Sequence, residues 1–338
     1  MRSAVDALLA KVNQLAHGAC SLLAAPRLSI LIYHRVRAQA DELFPYEPDA
    51  RRFERVMSFV ARSFRVMSLA EAAAGLQRGD LPARALVITF DDGYADNAEV
   101  ALPILRRCGV AATFFVSTGF LDGGRMWNDS VIEIVRACRQ PEVDLEVFGL
   151  GRRSLAGLAE RRALIGALLP RIKYQSLADR DQAIACLHDR CGAPDLPDDL
   201  MMTSDQVRQL HRAGMEIGAH TVRHPILTTL TPDEAEREIA DGRKRLEEII
   251  DAPVEVFAYP NGKPGRDYDQ SHVALLARLG FKCAVSTATG VSRAGDDVFQ
   301  LPRFSPWGES LSVWGTRLLV NQKNTRYEVL GAPSGAGP

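Results

Sequence analysis

The sequence predicts an α/β fold, a parallel barrel or sheet, and three observations lead there. Short apolar runs rich in β-branched residues alternate with amphipathic helical stretches along the whole chain. Several of those runs end in charged or polar residues, as expected where a parallel sheet carries its site at the strands' C-terminal ends. At 338 residues, with 46% hydrophobic and 25% charged content, the chain can bury one large α/β core.

Residues 4–16 place Val5, Leu8, Leu9, Val12 and Leu15 on one helical face, so an N-terminal helix is expected within residues 1–26. Leu28–Val36 reads as a buried strand closing on Tyr33-His34-Arg35, and residues 37–50 as an irregular link. A helix over Phe53–Phe64 and a short strand over Phe64–Met67 follow, and Ser68 with Glu71 forms a capping box for the next helix. Leu86–Tyr94 (LVITFDDGY) is the organising stretch. Its apolar half is a buried strand, and its acids, Asp91 and Asp92, belong at the strand's mouth because an isolated buried charge is too costly. Gly93 can take the dihedrals that turn both carboxylates toward one cavity.

Asn97–Cys108 is helical with Gly109 as its stop and Pro103 as an expected kink, and Val110–Ser117 is another strand. Residues 122–200 read as a helical insertion that walls a groove, with helices at Val131–Cys138, about 154–169 and about 176–190; Trp127 and Asn128 are expected at a helix N-terminus packed on the barrel. Thr203 and Gln206 cap a short helix before the strand Met215–His220. Thr231, Pro232 and Glu234 start a long helix to about Ile250. The strand Val254–Tyr259, the helix Ser271–Leu279 and the strands Phe281–Ser286 and Phe299–Phe304 complete residues 27–320. In the tail, 321–338, the closing GAPSGAGP is expected to be disordered.

A formal net charge of -1 offers no field for nucleic acid. The six cysteines show no CxxC pair and no metal-ligand spacing, which suits reduced thiols. The N-terminal stretch shows no export signal and no run long enough to span a bilayer, so the expectation is a cytoplasmic protein without a transmembrane segment.

Three strand ends supply polar groups at one mouth: Asp91 and Asp92, then His220 and His224, then Pro260-Asn261-Gly262. The histidine pair follows a strand and lacks the glutamate of a helical metalloprotease motif, which excludes that reading. Two histidines and a carboxylate nevertheless form a zinc-type ligand set with a position left open for water.

TFDDGY, HTVRHP and AYPNG, in this order, resemble the polysaccharide deacetylase (NodB-homology) family, also called carbohydrate esterase family 4. The resemblance implies a distorted (β/α) barrel of about seven strands, and metal-dependent removal of N-acetyl groups from an amino-sugar polymer, oligomer or glycan intermediate. It implies a divalent metal, zinc by preference, on Asp92, His220 and His224, with Asp91 as the general base and the backbone N–H of Asn261 as an oxyanion donor. Two features depart from the family pattern. The arginine that precedes the third motif's proline is missing, and Arg303 in LPRF is the candidate replacement, against a merely structural or surface arginine. The late strand ending in apolar-x-His is also missing, but Ile30–His34 supplies its pattern at the front, resembling the circularly permuted exopolysaccharide deacetylases. This makes His34 the expected general acid. For Trp127 and Asn128 a sugar-facing position is the alternative to packing on the barrel. The competing readings are a catalytically silent carbohydrate-binding relative and a hydrolase of a non-sugar amide on the same fold.

Overall fold

The structure is a computed structural model that describes residues 26–305 and 310–331. The expected N-terminal helix and the last seven residues of the tail lie outside the described residues. Seven parallel strands form the barrel: β1 (Ser29–Tyr33), β3 (Ala85–Phe90), β4 (Thr113–Val116), β7 (Glu216–Ala219), β8 (Val256–Ala258), β9 (Cys283–Thr289) and β10 (Leu301–Arg303), hydrogen-bonded in that order. β2 (Arg65–Val66) pairs with the start of β3. The ring nearly closes where the Phe304 N–H donates to Ile30 O at 2.8 Å and the Ile32 N–H to Phe304 O at 3.2 Å. First and last strands are therefore neighbours, the arrangement a permuted barrel needs.

Strand side chains alternate between two environments, and that alternation decides where the charges go. Leu86, Ile88 and Phe90 face the surrounding helices α1 (Ala50–Ser63), α3 (Leu102–Cys108), α7 (Ser204–Arg212), α8 (Pro232–Ile250) and α9 (Gln270–Arg278). Ala85 and Val87 meet Ile30, Phe115, Val256, Ala258, Val285 and Leu301 in a separate interior cluster, together with α2 (Leu69–Arg78). Glu216, at the start of β7, accepts the Leu69 and Ala70 N–H groups at 2.8 and 3.1 Å and the Thr113 hydroxyl at 2.6 Å, fixing α2 across the barrel's lower end. The lower end is thus stoppered, and the upper end is free for chemistry.

The capping boxes at Ser68/Glu71, Thr203/Gln206 and Thr231/Glu234 form as the sequence implies. Pro103 is absorbed differently from a simple kink. Asn97–Ala101 is a π-helical turn, and Pro103 falls in the first turn of α3, where a missing N–H costs nothing.

Between β4 and β7 come α4 (Trp127–Ala137), a hairpin of β5 (Glu142–Asp144) and β6 (Arg152–Ser154), α5 (Leu158–Lys173) and α6 (Leu177–Cys191). Val131, Ile134, Leu164, Leu168 and Leu187 give these elements an apolar cluster of their own. The hairpin is not foreseen by the sequence, because three-residue polar strands leave no period to read. A helix at Leu311–Asn321, α10, is also unforeseen.

Gly93 turns the chain at φ +92°, and an added Cβ would stand 2.9 Å from Val116 Cγ1. Gly93→Ala is expected to cost about 2 kcal/mol, combining left-handed strain with overpacking, read as a lower denaturant midpoint.

Candidate active site

Continuing the alternation of β3 past Val87 and Thr89 aims Asp91 into the barrel's upper mouth. Asp92 would then point outward, but its φ of +77° turns it back beside Asp91. Asp91 is buried and receives both ends of the buried Arg303 guanidinium, Nη1 to Oδ1 at 2.6 Å and Nη2 to Oδ2 at 2.7 Å. The guanidinium is itself held by Nε donating to Ser286 O at 2.9 Å and by Nη1 reaching Thr89 Oγ1 at 3.3 Å. Burial works to raise the Asp91 pKa, but the Arg303 charge and, behind it, His220 outweigh it and hold the carboxyl below its usual value. Arg303 thus makes with Asp91 the contact expected of the candidate replacement.

Asp92, His220 and His224 offer ligand atoms all within 4.8 Å of one another, and all three are buried. Both imidazole Nε2 atoms lie 3.5 Å from Asp92 Oδ1, a buried oxygen with no hydrogen-bond partner. That spacing is long for a hydrogen bond but matches the edge, about 3.3 Å, of a tetrahedron with ligands at about 2.0–2.1 Å. His220 Nδ1 lies 2.7 Å from the Ala258 carbonyl, which can only accept, so the proton sits on Nδ1 and the Nε2 lone pair is free. Burial pushes the His224 imidazole down to about 3, which keeps it in the neutral, ligating form. For Asp92, burial works upward, but the approach of His220 and the nearby His224 and His34 prevail and keep the carboxyl ionised. This donor set and its orphaned oxygen fit a divalent cation.

The loop after β7 is built to present the two histidines. Thr221 and His224 take φ values of +66° and +52°. The Thr221 hydroxyl donates to His220 O and accepts from the His224 N–H. Buried Glu238, on α8, accepts the Val222 and Arg223 N–H groups at 3.0 and 2.8 Å and pins the loop from below.

A cavity of about 590 Å³ opens over these groups. Asp91, Asp92, His34, His220, His224 and Asn261 all line it, so the structure brings six of the seven expected residues to one space; Arg303 sits behind, touching Asp91. His34 is exposed at the end of β1. Asn261 follows β8 at φ +60°, its carbonyl accepts from Thr287 Oγ1 at 2.7 Å, and its N–H makes no hydrogen bond among the described residues.

Other residues also line the cavity. Trp127 and Asn128 do so at the start of α4, the sugar-facing position that is the second reading of these residues. Asn128 Nδ2 reaches the Tyr94 hydroxyl at 3.4 Å, leaving its Oδ1 buried and unpartnered. Lys173 and Tyr174 at the end of α5, and Lys263 and Arg266 after β8, also line it. A cation or ring at a helix end carries no sequence signal that separates it from a solvated one.

A family model described as polysaccharide deacetylase matches residues 78–163 and 180–284. β1 with His34 and β10 with Arg303 fall outside the matched segments. The chain is 21% identical over 279 residues to YxkH of Bacillus subtilis (strain 168), named as a candidate polysaccharide deacetylase, covering 82% of this chain and 70% of that protein. The solved structure of Streptococcus pyogenes deacetylase PplD in complex with acetate matches at a TM-score of 0.60 and 20% identity, over 88% of this chain and 99% of that one. IcaB from Ammonifex degensii matches at 0.56 and 19%, over 88% and 97%. These structures share the barrel.

Proposed function

Because this chain belongs to the polysaccharide deacetylase family, we propose that it hydrolyses the N-acetyl group of an amino-sugar glycan, using a divalent cation, zinc by preference, on Asp92, His220 and His224. The observation that carries this reading is the buried trio around the unpartnered Asp92 oxygen, with an ionised Asp91 beside it. Such a cation supplies Lewis acidity toward the acetamide carbonyl and toward water.

The protein's own groups do the rest. Asp91, fixed by Arg303 with a lone pair left on each oxygen, takes a proton from water as its oxygen adds to the carbonyl carbon. The Asn261 N–H donates to the oxyanion that forms, a contact whose loss costs about 3 kcal/mol in comparable sites. His34, at the open side of the cavity, delivers a proton to the sugar nitrogen as the C–N bond breaks, releasing acetate and a free amine. Arg303 is a positioning residue for Asp91.

The test is acetate release from N-acetylglucosamine oligomers by the full-length protein. Activity should vanish with a chelator and return with added zinc; no release from any acetylated amino sugar would end the proposal. His220→Ala should sharply reduce the metal retained after dialysis, measured by elemental analysis. His34→Ala should lower kcat about a hundredfold with metal content unchanged. Full activity in that variant would remove His34 from the mechanism.

A further inference from the structure

One wall of the cavity is cationic. Lys173 closes α5, Lys263 and Arg266 sit in the turn after β8, and all three line the space that contains Asp91 and Asp92. Tyr174 organises them: its ring centroid lies 4.5 Å from the Arg266 guanidinium carbon and 5.5 Å from Lys173 Nζ. The Tyr174 hydroxyl donates to Asp267 Oδ1 at 3.2 Å, and Asp267 Oδ2 accepts the backbone N–H of Lys263 at 3.0 Å. The one carboxylate in this cluster therefore holds the scaffold in place. No carboxylate stands within 4.0 Å of any of the three cationic ends among the described residues.

Elsewhere in the cavity the charges are accounted for. Arg303 neutralises Asp91, and Asp92 faces the site of the divalent ion. Burial holds the Lys173 amine below the ordinary lysine range, and Lys263 and Arg266 add to that against Asp267. Three cations, of which Lys263 and Arg266 are exposed, share one cavity with the Asp92, His220 and His224 trio, and an anion between them relieves their mutual repulsion. Lys173 and Tyr174 also lie in the stretch, 164–179, that separates the two segments matched by the family model.

We infer that this wall is a subsite for an anionic group, so that the substrate is an acetylated amino-sugar glycan carrying a phosphate or carboxylate close to the sugar that is deacetylated. Arg266 offers the planar fork that suits either oxyanion, and the two lysines add point charge. The inference rests on the deacetylase reading for the sugar, whereas the anion preference can be measured by binding alone.

The experiment uses an N-acetylglucosamine tetramer, the same tetramer bearing one phosphate monoester, and a tetramer containing one uronic acid. Binding to the chelator-treated full chain is measured by calorimetry, and kcat/KM by acetate release from the zinc-loaded protein. At about 20 mM NaCl an anionic tetramer should bind at least about tenfold more tightly than the neutral one, and the advantage should shrink as salt rises. The tighter of the two anionic probes identifies the group. In Lys173→Gln/Arg266→Gln the anionic-to-neutral ratio should fall toward one, and in Lys173→Glu/Arg266→Glu it should drop below one. If these variants do not fold, the salt dependence of the unmodified protein carries the test. Equal binding of neutral and anionic tetramers overturns the anionic subsite even if both are deacetylated. Anion-selective binding without any acetate release supports the subsite and overturns the deacetylase reading instead.

Discussion

Asp91→Asn is expected to cut kcat on the order of a thousandfold while the protein keeps its metal. The substitution preserves shape but removes the basic lone pairs, and the three proposed ligand side chains, Asp92, His220 and His224, are untouched. Steady-state acetate release and elemental analysis on one sample read both quantities. A parallel loss of metal would show that Asp91 binds the ion rather than serving beside it. Because Arg303 holds the carboxyl below its usual value, the unmodified protein should keep this proposed base ionised down through the ordinary carboxylate range. The acid limb of its rate profile should therefore not fall at the pKa of a free aspartate.

Arg303→Met is expected to destabilise the fold by about 3–5 kcal/mol at pH 7, because it leaves a buried carboxylate without its cation. The pH dependence has a definite sign. In the unmodified protein the lowered Asp91 pKa adds stability above the pKa of the unfolded chain, and that stability is lost as pH falls through the folded value. In the variant, burial acts unopposed by Arg303 and raises the Asp91 pKa. The deficit should therefore be greatest at neutral pH and should narrow as pH falls through the raised value and the carboxyl becomes neutral. Urea titrations at pH 7 and pH 5 test this. A deficit that stays constant across the two would mean that Arg303 acts through packing alone. Arg303→Lys, keeping charge without the fork, should recover part of the stability and less of kcat.

The local features of the site were legible in the sequence, and the long-range ones were not. TFDDGY and HTVRHP announce a turn and a loop whose neighbouring residues do the work, so adjacency in the chain already implies adjacency in space. The Arg303–Asp91 pair joins residues 212 positions apart, and only barrel closure brings β10 beside β1, one strand from β3. LPRF offered Arg303 as a candidate, and the structure pairs it with Asp91, but nothing in the motif distinguishes a guanidinium inside a barrel from one on the surface. The cationic wall needed the end of α5 to fold back over the β8 turn, a tertiary event without a local pattern. The barrel's strands carried their own signal, because side chains buried on both faces read as continuous apolar runs. The β5–β6 hairpin, with charged residues on short strands, did not.

Asp92, Thr221, His224 and Asn261 all occupy the left-handed backbone basin, at φ values from +52° to +77°. Glycine enters that basin freely, while a β-branched threonine resists it, at a cost of about 1–3 kcal/mol per position. The loops around the Asp92, His220 and His224 trio are therefore coiled springs, kept compressed by Glu238, by the Thr221 hydroxyl and by the barrel beneath. A lineage released from the proposed chemistry would relieve strain by drifting to glycine at Asp92 and His224, and would lose two of the three proposed ligands in doing so.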